Sequence, residues 1–134
     1  MRKVLLLGVA AAAVYLSSSH AALGLPALGS AHVHGGTLSC AGLERLWEAA
    51  GGSPSAAFTA AEVAMAESSG NTNASNYNTN GTVDRGAWQI NSIWGSESTY
   101  DPMANARAAV QISHDGTDWT PWATYNSNAY QGKC

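Results

Sequence analysis

Between Ala66 and Gly95 the chain reads AESSGNTNASNYNTNGTVDRGAWQINSIWG, and this stretch changes structural type twice within thirty residues. Before it, Phe58, Ala61, Met65 and the alanines around them carry helical spacing. A helix so rich in small side chains can lie close to its neighbours and be nearly buried. It should run to Glu67 or Ser68 and stop before Gly70. The Asn/Thr/Gly run that follows has no helical period, and its Asn80-Gly81 step is a hairpin signal that requires positive φ. One strand should enter through Asn76-Tyr77-Asn78 and the other leave through Thr82-Val83-Asp84. Trp88 to Ile93 then returns the chain to the core. The expected class is α+β, mostly helical, with one small hairpin lobe.

The flanking residues extend the helical part. Leu43, Leu46, Trp47 and Ala50 follow the i, i+3, i+4, i+7 pattern and are stopped by Gly51-Gly52. Ser53-Pro54 reads as an N-cap followed by a first-turn proline. Asp101-Pro102 repeats that signal, opening a helix with Met103, Ala106 and Val110 inward that stops near Asp115-Gly116. A last short helix should hold Trp119, Trp122 and Tyr125.

The start of the chain is of another kind. Arg2-Lys3, an apolar run from Val4 to Leu16 and Ser17-Ser18-Ser19 follow the order of a secretory signal. Ser19-His20-Ala21 and Gly29-Ser30-Ala31 both offer small residues at a cleavage site. An uncleaved anchor is the alternative, since Leu23, Leu25 and Leu28 prolong the apolar character. The expected organisation is a signal peptide or anchor over 1–31, a linker over 32–39 and a folded domain over 40–134. The folded part is then secreted or cell-wall associated, or membrane-anchored if the leader stays.

Setting Arg2 and Lys3 aside leaves four Lys/Arg against nine acids, about −5. No basic patch can be assembled from that, which argues against nucleic acid or an anionic membrane as partner. Cys40 and Cys134 are the only cysteines. An even pair in an exported chain reads as a disulfide, here worth roughly 4 to 5 kcal/mol by the chain-entropy model. They lack metal-site spacing, and no metal or cofactor is expected. Were the leader cut after Ala31, His32-Val33-His34 would form an N-terminal chelate for Cu(II) or Ni(II); the plainer reading is two incidental linker histidines.

The chemistry lies in two acids seventeen positions apart, Glu67 and Asp84. A carboxyl at the end of an apolar helix is partly desolvated, which raises its pKa. Asp84 sits amid Asn76, Asn78 and Asn91, whose amides can hold it ionised. Two acids pushed apart in this way supply the proton donor and partner anion that glycosidic bonds require. The Asn-rich surface and Trp94 suit a sugar, with hydroxyls to bond and a flat face to stack on. The alternative is purely structural: Glu67 a helix-end carboxylate, Asp84 a turn residue. Arg85 could pair with Asp84, Glu97 reads as a solvated loop acid, and the glycosylation-like Asn73 and Asn80 read as turn and sugar-contact residues.

Glu67-Ser68, the Asn/Thr-rich hairpin, then Asp84, Gly86, Gln89-Ile90-Asn91-Ser92 and Trp94 resemble the catalytic segment of the lysozyme superfamily, C-type lysozymes most closely, without a gap. Asn105 to Ser113 with Trp119-x-x-Trp122, and the Cys40/Cys134 pair, extend the resemblance more weakly over most of residues 40 to 134. It implies a lysozyme-like fold with a substrate cleft, acting on peptidoglycan glycan strands between N-acetylmuramic acid and N-acetylglucosamine, as a monomer. It implies Glu67 as general acid and Asp84 as nucleophile or cation stabiliser; lysozyme is itself the standard worked case of that pairing. It further implies substrate contacts by Asn78, Gln89, Asn91, Trp94, Trp119 and Tyr125, with Trp119 drying the Glu67 pocket. The chain departs from the pattern in Arg85, where an aromatic is usual, and in the short Trp94–Asp101 connection. The Tyr125-Asn126 tail also resembles bacterial and phage transglycosylases, which need one Glu and form anhydro ends. A non-catalytic glycan binder on the same fold is a third reading.

Overall fold

A computed structural model describes residues 35–134. The leader, both cleavage sites and His32-Val33-His34 lie outside the described residues. Among the described residues no helix is long and apolar enough to cross a membrane.

The first helix, α1 (Cys40–Ala49), starts at Ser39, whose hydroxyl accepts the Gly42 N–H at 3.2 Å. It buries Leu43, Leu46 and Trp47 against α2 (Ala57–Ser68). As its composition requires, α2 is nearly enclosed: Ala57, Ala60, Ala61 and Ala64 form one small-residue face and Val63 is fully buried. Phe58 is 54% exposed, because it falls one position off that alanine face. Ser53 is the N-cap and Pro54 the first helical residue, as expected, of a 3₁₀ turn at Pro54–Ala56 that leads into α2; the Ser53 side chain makes no capping bond, and its backbone N–H donates to Asp115 Oδ1 at 2.6 Å.

The hairpin is present and larger than expected. Strands β1 (Ser75–Tyr77), β2 (Val83–Arg85) and β3 (Ile90–Asn91) form one antiparallel sheet in that order. Asn78 and Thr82 close the first turn, in which Gly81 alone takes a positive φ of 84°. A 3₁₀ segment (Ser92–Glu97) leads to α3 (Pro102–Ile112), capped by the Asp101 carboxylate on Ala104 N–H at 2.7 Å. In α3 Ala106 is fully buried as expected, whereas Met103 and Val110 only border the core. The closing helix α4 (Ala123–Asn126) holds Tyr125 but begins after Trp122.

Four indoles make the centre. Trp47 lies 6.5 Å from Trp88 and 5.5 Å from Trp119, and Trp119 lies 5.2 Å from Trp122. Buried indole N–H groups need acceptors. Trp47 finds Ser53 O, Trp88 finds Ala60 O and Trp122 finds Trp88 O, at 3.0, 3.0 and 2.8 Å. The sheet is fastened to this core by Asn105 of α3, which is fully buried. Its Oδ1 accepts the Trp88 N–H, and its Nδ2 donates to Arg85 O and Thr99 O. Gly86 packs so tightly against it that an added Cβ would stand 2.5 Å from Asn105 Nδ2.

The Cys40–Cys134 disulfide joins the start of α1 to the last residue. The end of the expected linker is not free of structure: Thr37 bridges to Asn71, and Leu38 N–H donates to Gly70 O at 2.9 Å. The polar loop after α2 supplies the partners that its sequence alone does not announce.

Candidate active site

Sheet register assembles one half of the site. Asn76 stands opposite Asp84 across β1–β2, and Asp84 stands opposite Asn91 across β2–β3. Residues directly opposite share a face, so the three side chains meet. Asn91 Nδ2 donates to Asp84 Oδ1 at 2.6 Å; Asn78 and Asn76 donate to Oδ2 at 2.9 and 3.4 Å. The Thr82 hydroxyl accepts from the same Asn78 and Asn91 amides and itself donates to Asn80 Oδ1, tying the turn into the network. All three side-chain donors to the carboxylate are uncharged amides on the hairpin lobe.

Helix α2 supplies the other half. Glu67 is its penultimate residue, and the chain leaves the helix through Ser69 in the left-handed region (φ 55°). The neighbouring Ser68 hydroxyl lies 2.8 Å from Ala87 O, which couples the helix end to the loop after β2. Glu67 is half-buried, and that burial pushes its pKa above the usual 4.5. Thr124 opposes the shift: its hydroxyl donates to Glu67 Oε1 at 2.5 Å and its backbone N–H acts in the same sense. The negative charge of Asp84 raises the pKa further, so the two acids sense one another.

Glu67 and Asp84 line a single open cleft of about 800 Å³. Asn78, Gln89, Asn91 and Trp94 line it as well, Trp94 being 45% exposed. Gln89 has most of its side chain committed to the loop, since its Nε2 donates to Ala74 O and Gly86 O.

Trp119 and Tyr125 require correction, because neither lines the cleft. Trp119 is buried between Trp47 and Trp122, and the core indole that lines the cleft with Glu67 is that of Trp122. Tyr125 stacks on Tyr130 with centroids 4.6 Å apart. Arg85 does not pair with Asp84 either. Adjacent strand residues point to opposite faces, and Arg85 Nη1 donates to Ser98 Oγ at 3.0 Å with its guanidinium 5.9 Å from the Tyr100 ring centroid. Glu97 is half-buried rather than solvated, with Oε2 enclosed and unpartnered.

Among the contributors that escape sequence reasoning, besides Trp122, are Thr124, Tyr77 and Ile93. The last two line the cleft and are 79% and 74% exposed. Large apolar side chains in polar surroundings, Tyr77 on the hairpin and Ile93 in the 3₁₀ segment after it, are the available signal. Thr124 carries none, because its contact spans fifty-seven positions.

Among the described residues no cluster of His, Cys, Asp or Glu could hold a metal ion. No curated protein gives a significant match. A family profile described as lysozyme-like domain does match, over residues 44–124. The matched span runs from α1 into α4 and contains both acids, the sheet and the cleft walls. With that match covering more than half of the chain, and with the helical core, three-stranded lobe and intervening cleft now described, the chain belongs to the lysozyme-like superfamily, with transglycosylase features.

Proposed function

We propose that this chain is an exported glycosidase that hydrolyses the β-1,4 bond between N-acetylmuramic acid and N-acetylglucosamine in peptidoglycan. Family membership supports peptidoglycan-related glycan cleavage in general. The observation that carries the finer reading is one cleft holding two carboxyls in opposite surroundings: Glu67 partly desolvated with a raised pKa, Asp84 ringed by amide donors.

In this scheme Glu67 gives its proton to the glycosidic oxygen as the bond from that oxygen to C1 breaks. Asp84 supplies the electron pair or the negative field that C1 needs as positive charge develops there. Water then adds to C1, and its proton returns to Glu67. Trp94 and the exposed Tyr77 offer flat faces to sugar rings, and the Asn/Thr wall offers partners for hydroxyl and acetamido groups.

The transglycosylase reading draws on the family's features and on Tyr125-Asn126. Two observations favour hydrolysis: Tyr125 is stacked on Tyr130 away from the cleft lining, and Asp84 occupies the cleft. Mass spectrometry of digested peptidoglycan tests this. Reducing muramic ends are expected; anhydromuramic ends would establish transglycosylation, and binding without any cleavage would leave a glycan-binding protein.

Thr124 acts in this scheme as a positioning residue for Glu67. Removing its hydroxyl in Thr124→Val takes away a contact that lowers the Glu67 pKa. The alkaline limb of the activity profile should therefore move to higher pH, while kcat falls about tenfold as the carboxyl loses its anchor. Thr124→Ser should restore both. A profile that stays in place in the Val variant removes Thr124 from the site.

A further inference from the structure

The charge pattern of the cleft bears on which glycans it can take. Among the described residues that line it are two acids and no Lys, Arg or His; the others are amides, hydroxyls and apolar side chains. The only cationic residue between positions 71 and 100 is Arg85, and its guanidinium is committed to Ser98 and Tyr100. Residues 35–134 carry nine acids against four Lys/Arg, so the surrounding field is negative as well. Charge also reaches across the cleft, since Asp84 acts on Glu67. An anion lodged there would face the ionised Asp84, with no cationic side chain lining the cleft to offset it.

Peptidoglycan presents that choice on every muramyl sugar. The lactyl group on O3 ends in a carboxylate when bare and in a neutral amide when a stem peptide is attached. Resting on the function proposed above, we propose that the cleft selects strands whose lactyl groups are amide-capped and discriminates against strands with free lactyl carboxylates. The capped form presents an amide N–H and a carbonyl, which the Asn and Thr side chains of the hairpin wall can bond. The free acid adds a negative charge to a cleft that already holds Asp84. In a partly solvated cleft, a few ångströms to a nanometre from such a charge, that repulsion is worth about three- to tenfold in kcat/KM.

The test uses soluble oligosaccharides of alternating N-acetylglucosamine and N-acetylmuramic acid, prepared as free lactyl acids and as lactyl methylamides. At low salt (about 20 mM) the amide form should be cut about three- to tenfold faster, and the gap should narrow at about 0.5 M salt as the charges are screened. Thr79→Lys, at the exposed hairpin tip lining the cleft, should raise cleavage of the acid form relative to the amide form severalfold. Equal rates on both forms at low salt, or a gap that salt does not change, overturns the inference. Intact peptidoglycan is digested in parallel. If it is not cut, the proposed activity itself fails and this inference with it. If it is cut while both oligosaccharides are cut equally, only the charge selection fails.

Discussion

Glu67→Gln is expected to lower cleavage of peptidoglycan about a thousandfold or more, in the range that loss of a general acid produces, while leaving the fold intact. The amide matches the carboxyl in shape and can still accept the Thr124 hydroxyl, but it has no proton to give. The same substitution has a pH signature in stability. The folded-state pKa of Glu67 is raised above 4.5. Its contribution to stability is therefore full below the unfolded value and is lost as pH rises through the folded one, where a half-buried charge must form. The amide that replaces it does not titrate. Thermal melts should show the variant gaining on the wild type as pH rises from below 4.5 through the raised folded-state value. Near-normal turnover in the variant would sink the assignment.

Asp84→Asn should reduce hydrolysis about a hundredfold or more, because C1 loses the anion facing it. It also removes a charge that raises the Glu67 pKa. The alkaline limb of kcat/KM should then move to lower pH, the reverse of the shift expected for Thr124→Val. Opposite displacements by two substitutions on different elements would be hard to produce by general loosening of the fold. Part of the loss will be structural, since Asn76, Asn78 and Asn91 all donate to Asp84 and an amide accepts through one oxygen only. That leaves donors without partners, at about 1 kcal/mol each where they are buried. A variant that keeps wild-type activity would retire the two-carboxylate scheme and leave Glu67 as the sole catalytic acid.

The parts of this molecule that are legible without coordinates share one property: they are short-range. The end of α2 at Ser68, the hairpin with Gly81 at positive φ and the Asp101 cap each depend on a few adjacent residues. The amide ring around Asp84 is legible for the same reason. Strand alternation and a tight turn leave Asn76, Asn78 and Asn91 few other places to point. The errors also share a property. Trp119 and Trp122 are three positions apart in a turn, and only packing against Trp47 decides that the first is core and the second faces the cleft. Tyr125 is likewise drawn onto Tyr130, a contact that no local pattern announces.

Local chemistry along the chain determined the element types, the pair of acids and the amides around Asp84, because turn closure and strand alternation act over a few residues. The tertiary structure decided which indole walls the cleft, that Arg85 turns from Asp84 to Ser98 and Tyr100, and that Thr124 holds Glu67. Those outcomes follow from how close two distant backbones can approach, a quantity set by the packed volumes of every side chain between them.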